Sequence, residues 1–394
     1  MSQLRFLTAG ESHGIALTGI IEGIPSGVAL SAELINKELA RRQKGYGRGG
    51  RMKIESDEVE ILSGVRWGMT TGSPVTLRIA NRDWLNWERG MSAAKADAGA
   101  IPPVTRPRPG HADLAGALKY NLQDVRNVLE RSSARETAMR VALGAVAKQF
   151  LASAFVGVRV GSFVIQIGSV RAEMPEGQAP LVELALKAEE SDVRCFDEKA
   201  SVQMKALIDT AKEKGDSLGG VFEVFATGLV AGLGSHIQWD TKLDGRLAQA
   251  VMSIQAIKAV EIGDGMAMAG QSGSESMDEI FYDSTINPPF YRKTNHAGGL
   301  EGGMTNGMPL IIKAAMKPIP TLRQPLNSID LVTKEPIEAA YERSDICAVP
   351  AASVIGEAMT ALILAQAYVE KFGGDSLKEV RHNYMNYLEY LKKF

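Results

Sequence analysis

Two of the five histidines sit in glycine-flanked turns with charged neighbours. His13 belongs to Gly10-Glu11-Ser12-His13-Gly14, and His111 to Arg106-Pro107-Arg108-Pro109-Gly110-His111-Ala112-Asp113. Histidine exchanges protons near neutral pH, so two such turns point to acid/base work. The bland alternative for either one is a structural histidine that satisfies its own hydrogen bonds.

Positive charge collects elsewhere in the same style. Gly45, Gly47 and Gly50 satisfy G-x-G-x-x-G, the dinucleotide fingerprint, but that motif should follow a strand and open a helix. Here it follows a helical pattern and leads into a strand pattern, which excludes that reading. What remains is a glycine-rich loop carrying Arg41, Arg42, Lys44, Arg48 and Arg51. Glycines remove side-chain bulk, so guanidiniums and backbone N–H groups can converge on an anion. A solvated basic surface is the alternative.

Glu130-Arg131-Ser132-Ser133-Ala134-Arg135-Glu136-Thr137 puts hydroxyls and N–H groups at the expected start of a long helix, a ready anion site or a simple N-cap. Met316-Lys317-Pro318-Ile319-Pro320-Thr321 is a stiff strand exit with one cation, and Glu342-Arg343-Ser344-Asp345 puts an acid two residues after an arginine. Together these basic Gly/Pro-rich turns, two histidines and one acid describe a pocket for a small, multiply charged anion.

The elements that must position these residues follow from periodicity. Strands are expected at 4–9, 52–62, 156–170, 221–229 and 310–317, with apolar character resuming at 20–24. Helices are expected from Ser31 as cap through Gln43, at 134–152, twice within 181–214, at 243–257, at 350–372 and as a charged surface helix over 375–394. Residues 83–109 read as surface loops with a short helix. No regular βαβ repeat emerges, so a single α+β domain over 1–394 is expected, with an internal pseudo-duplication because each half runs strand, Gly-rich turn, helix.

The 394 residues are 45% hydrophobic, ample for a large core, and the 40 glycines exceed the usual share of about 7%. Lys+Arg 44 against Asp+Glu 46 gives a net charge of −2, without the basic excess of nucleic-acid binders. The basic clusters are interleaved with glycine and proline instead of aromatics, which also argues against a polyanion-binding protein. Cys195 and Cys347 form no CxxC pair, as suits a reducing compartment. The N-terminus lacks the apolar run of a signal peptide, and the apolar stretch 352–369 carries Glu357 and Gln366, so a buried helix is expected there and a cytoplasmic location for the chain.

Taken in series, GESHG (10–14), RRQKGYGRGGRMKIESD (41–57), RPGHAD (108–113), ERSSARETAMRVA (130–142), QWDTKLDGRLAQAVMSIQA (238–256), GGLEGGMTNG (298–307), MKPIPT (316–321) and ERSD (342–345) resemble the chorismate synthase family. They stand in the family's order and at its separations across residues 4 to 372. The resemblance implies a homotetrameric lyase, each subunit a sandwich of helices between antiparallel sheets. It implies a 1,4-elimination of phosphate from 5-enolpyruvylshikimate 3-phosphate to give chorismate, dependent on reduced FMN yet redox-neutral overall. NADPH would enter only as an indirect reductant, with a separate flavin reductase as partner unless the chain reduces its own flavin. No metal, membrane or nucleic acid is implied.

Carried onto this chain, the resemblance makes His13 the proton donor to the departing phosphate and His111 the proton donor to reduced flavin. Asp345 would assist removal of the ring proton through the flavin N5. Arg42, Arg48, Arg51, Arg108 and Arg135 would hold the substrate's phosphate and carboxylates. FMN would lie against Ser132, Ser133, Ala134, Gln255, Ala256, Gly302, Lys317, Pro318, Ile319, Pro320, Thr321 and Arg343. Ala259, Met266 and His296 depart from the family pattern, which leads one to expect glycine, an aromatic and asparagine there, and 270–294 reads as a variable insertion.

Overall fold

The computed structural model describes residues 4–49, 56–175, 180–286, 288–340 and 344–394. Arg51, Arg343 and the first residues of the strand expected from Met52 lie outside the described residues.

The chain opens with the hairpin β1 (Arg5–Ala9) and β2 (Ala16–Glu22), then α1 (Ala32–Gln43), β3 (Val59–Ser63) and β4 (Val75–Ala80). Ser31 caps α1, its side chain accepting from the Leu34 N–H at 3.3 Å, as the sequence predicts. The four strands form an antiparallel sheet in the order β1-β2-β4-β3. After α2 (Asp113–Tyr120) and α3 (Arg126–Ser132) comes the long α4 (Thr137–Ala154). The second half contributes β5 (Arg159–Ile167), β6 (Val170–Arg171), α5 (Leu181–Glu189), α6 (Glu198–Glu213), β7 (Gly220–Thr227), α7 (Leu243–Met252), β8 (Ile257–Ile262) and β9 (Leu310–Met316). It ends in α8 (Val349–Phe372) and α9 (Leu377–Lys393). Its antiparallel sheet has the order β8-β9-β7-β5-β6.

Set aside β6 and the inserted helices, and both halves read β-β-α-β-β-α. Both sheets also have the same order, first-second-fourth-third: β1-β2-β4-β3 and β5-β7-β9-β8. The expected duplication is therefore present in the topology.

Strand alternation explains the layering. Leu17 and Ile21 on β2, with Val75, Leu77 and Ile79 on β4, are buried facing α4. Gly19 lies between them because a Cβ there would come within 2.6 Å of Met139. In the second sheet Phe222 and Val224 meet α8, where a side chain on Gly356 would strike Phe222 at 2.7 Å. The two central helices touch closely, since a Cβ on Gly144 of α4 would lie 2.4 Å from that of Ala358. The result is sheet, helices, helices, sheet, the α+β sandwich the resemblance implies. Helix α8 is long and apolar enough to cross a membrane, but it is buried in this core.

Several boundaries differ from expectation. The third strand starts only at Val59, after an irregular stretch at 56–58. The helix expected from Ala134 begins as a 3-10 turn and becomes α-helical at Thr137. The helix expected to reach Ile257 stops at Met252, because Ala256 takes a left-handed φ of 67° and turns the chain into β8. Within 270–294 the chain forms a short helical turn and a hairpin pairing Ile280–Tyr282 with Phe290–Arg292.

Candidate active site

One cavity of about 450 Å³ collects residues from both halves. The first half supplies Ser12 and His13 from the β1–β2 turn, Arg48 and Gly49 from the α1–β3 loop, and Arg108, Gly110, His111 and Ala112 with Ser132–Arg135 from the β4–α4 segment. The second supplies Ile254–Ala256 from the α7–β8 turn, and Met316, Lys317, Ile319–Thr321, Ser344 and Asp345 from the β9–α8 segment. The α1–β3 and α7–β8 connections are equivalent in the repeat, as are the two long segments before α4 and α8. Duplication thus accounts for a site scattered over more than three hundred residues of sequence.

Two of the arginines share one acid. Asp57 is buried and accepts from Arg42 Nη2 at 2.8 Å and from Arg135 Nη1 at 2.5 Å. Burial alone would raise the Asp57 carboxyl, but Arg42 and then Arg135 hold it below its ordinary value. Burial pulls the Arg42 guanidinium down, and the like charges of Arg135 and Arg48 add to that against the pull of Asp57. Arg42 Nε is buried without a partner. Arg48 bonds Asp345 at 2.7 Å, and the other oxygen of Asp345 accepts from the Gly49 N–H at 2.6 Å. Guanidiniums gathered in this way favour an incoming multivalent anion.

His13 is held by Glu130. One Glu130 oxygen accepts the His13 backbone N–H and the other meets Nδ1, both at 2.8 Å. The imidazole stacks on Trp87 with ring centroids 4.3 Å apart. Burial would raise the Glu130 carboxyl, yet the contacts with His13 and the Arg126 charge lower it, so it is ionised. His111 is held in the same manner, its Nδ1 lying 2.5 Å from Asp113. Burial works against ionised Asp113, but hydrogen bonds from His111 and Arg108 push its carboxyl well below the usual range. Arg108 lines the cavity while bonding Asp113 at 2.8 Å and Thr321 at 3.2 Å, so its guanidinium braces the His111 turn.

Of the residues the resemblance assigns to flavin, Ser132, Ser133, Ala134, Gln255, Ala256, Lys317, Ile319, Pro320 and Thr321 line the cavity. Pro318 does not, and Gly302 is an exposed residue in the turn joining Leu300–Glu301 to Met304–Thr305, outside the lining. Ser132 ends α3 and Ser133 follows it, instead of both standing at the head of one helix; Ser133 caps the 3-10 turn. Ser132 Oγ and Gln255 Oε1 are buried without partners, while Gln255 Nε2 donates to Glu136 at 3.0 Å. An orphaned hydroxyl and an orphaned amide oxygen in one cavity fit a heterocycle that both donates and accepts hydrogen bonds.

Some participants were not singled out from sequence. Asp57, Glu130 and Asp113 lie inside the quoted motifs, but only their burial beside Arg42, His13 and His111 reveals what they do. Trp87 carried no local signal at all. Arg41, by contrast, leaves the cavity and bonds Glu357. His296 bonds Asp264 at 2.9 Å and is not part of the lining.

The chain is similar to known proteins over nearly its whole length. The protein-family description of chorismate synthase matches residues 4–369. A curated chorismate synthase of Geobacter sulfurreducens is 61% identical over 396 residues, covering 99% of this chain and all of the relative. That of Aquifex aeolicus is 55% identical, with 99% of each chain covered. A crystal structure of chorismate synthase superposes with a TM-score of 0.81 at 46% identity, covering 100% of this chain and 99% of the other. The chain belongs to the chorismate synthase family.

Proposed function

We propose that this cavity is where the chain carries out the family reaction, conversion of 5-enolpyruvylshikimate 3-phosphate to chorismate and inorganic phosphate. The observation that carries the assignment is the pair Arg42 and Arg135 on buried Asp57, with Arg48 on Asp345, at the cavity that also holds His13. The ring C–O bond to phosphate breaks and a ring C–H proton departs; the electrons of that C–H bond form a new double bond while the existing ring double bond shifts to the carbon that loses phosphate. Arg42, Arg48 and Arg135 hold the phosphate and carboxylates. Guanidiniums fixed in advance in a dry site stabilise the leaving charge, each such contact contributing about 2–4 kcal/mol.

His13 supplies a proton to the departing phosphate, and Asp345 assists removal of the ring proton, so proton gain and loss balance. His111, oriented by Asp113, holds a proton on the flavin side. Reduced FMN, which family membership implies, would supply an electron-rich ring system beside the breaking bond. Ser132, Ser133, Ala134, Gln255, Ala256, Lys317, Ile319, Pro320 and Thr321 would hold it.

Arg51 and Arg343 extend the substrate and flavin sets, and Gly302 and Pro318 the flavin set, on the family pattern alone. A homotetramer, NADPH as indirect reductant and a cytoplasmic location are inferred on the same basis. Exposed Leu7, Ile20 and Leu62 on the outer sheet face suit a subunit contact. A core continuous from Leu4 to Tyr384 supports a single domain over 1–394.

Anaerobic incubation with reduced FMN and the enolpyruvyl substrate tests the reading. Chorismate and phosphate should appear in equal amounts; substrate left unchanged would overturn it.

A further inference from the structure

The cavity histidine His13 does not stand alone but closes a ring of four side chains. Its Nδ1 meets Glu130 Oε1 at 2.8 Å, and its face stacks on Trp87 at 4.3 Å. Arg126 lies over the Trp87 ring at 4.9 Å and reaches Glu130 at 3.4 Å. The Glu130 side chain has no solvent exposure and that of His13 only 13%. The four come from three places: the β1–β2 turn for His13, the segment after β4 for Trp87, and successive turns of α3 for Arg126 and Glu130.

An ionised carboxylate can only accept, so Nδ1 must carry a proton. The transferable proton then resides on Nε2, the nitrogen Glu130 does not touch, which stands 3.9 Å from Asp83. Because the same carboxylate also takes the His13 backbone N–H at 2.8 Å, it fixes the turn as well as the ring. Trp87 covers one ring face and limits rotation about the Cβ–Cγ bond.

We propose that Glu130 and Trp87 are positioning residues for His13: Glu130 sets which nitrogen carries the exchangeable proton, and Trp87 fixes the plane in which it is delivered. The inference rests on His13 as proton donor to phosphate. In that step the proton leaves Nε2 for a phosphate oxygen while the Nδ1 proton stays against Glu130, leaving a neutral imidazole of defined tautomer.

Glu130→Gln preserves shape but presents an amide that can donate to Nδ1, reversing the tautomer and removing the imidazolium's counter-charge. The expected result is a kcat lower by about 100-fold, with the substrate KM and FMN affinity within about threefold of wild type. Glu130→Asp keeps the charge and should recover part of kcat; Trp87→Phe should retain more activity than Trp87→Ala. Histidine-selective ¹⁵N NMR, with the His13 signal assigned by its loss in His13→Asn, gives a readout independent of turnover. In wild-type protein Nδ1 of His13 should be protonated, and in Glu130→Gln that signature should vanish. Wild-type kcat in Glu130→Gln, or an unprotonated Nδ1 in wild type, overturns the proposal. Failure of the wild type to make chorismate would instead sink the reaction assignment, and the NMR would still decide the Glu130–His13 pairing.

Discussion

Arg41 and Arg42 are adjacent at the end of α1 and go in opposite directions. Arg41 enters the core and bonds both oxygens of fully buried Glu357 at 2.8 Å, while Arg42 turns to Asp57 and the cavity. Glu357 also takes Lys148 at 2.5 Å, Arg194 at 3.2 Å and Ser162 at 2.6 Å, tying α1, α4, α8 and β5 together. Burial opposes its ionisation, but Arg41, Lys148 and Arg194 drive its carboxyl far below the usual range. Glu357→Gln should therefore cost about 3 kcal/mol, because Arg41, Lys148 and Arg194 lose their fully buried partner and keep only the more exposed Glu38 and Glu189. Urea unfolding measures this, and an unchanged midpoint would refute it.

Asp57→Asn removes the one buried carboxylate that bonds both Arg42 and Arg135. A loss of about 3–5 kcal/mol is expected, again from uncompensated buried charge. Millimolar inorganic phosphate should restore more Tm to this variant than to wild type, since the anion replaces the missing charge. Equal shifts in both proteins would remove the two arginines from the anion site.

Gly49→Ala probes the contact between the arginine loop and Asp345. A Cβ would sit 2.9 Å from the Ser344 carbonyl oxygen, a backbone atom that cannot step aside cheaply. The loop must shift away from Asp345, so turnover should fall by about tenfold or more while the melting temperature stays close to wild type. Unaltered turnover would show that this contact does not set the geometry of the site.

Glu223 offers a pH test away from the cavity. Burial, with Asp264 and Glu261 adding to it and Lys313 opposing, pushes its carboxyl up to about 7 from the ordinary 4.5. A raised acid holds its proton more tightly when folded, so its contribution is intact below pH 4.5 and is lost as pH climbs through 7. At about 1.4 kcal/mol per pH unit the loss approaches about 3 kcal/mol at pH 8. Glu223→Gln should melt higher than wild type at pH 8 and nearly the same at pH 4.5. A variant less stable at pH 8 would contradict this.

Much of this architecture was legible because it is local. The Ser31 cap, the apolar period of α8 and the strand at Leu310–Met316 are written in neighbouring residues. The repeat was legible only as an ordering of elements, since sheet order depends on pairings such as Leu310 with Ala226. His13, His111, Arg42, Arg48 and Asp345 stood out by residue type and turn chemistry. Trp87 and Glu130 did not, because a ring that closes over 117 residues of sequence separation leaves no periodic trace. Arg41 was misleading for a related reason: the loop composition announces an anion site, but the phase of α1 sends that one guanidinium into the core.

Single turnover with stoichiometric reduced FMN, followed anaerobically, is the most direct test of a redox-neutral phosphate elimination in this cavity. The prediction is one chorismate and one phosphate per substrate consumed, with the flavin recovered fully reduced, and loss of that turnover in His13→Ala while FMN still binds. Flavin oxidised in proportion to product, or product without phosphate, would contradict it.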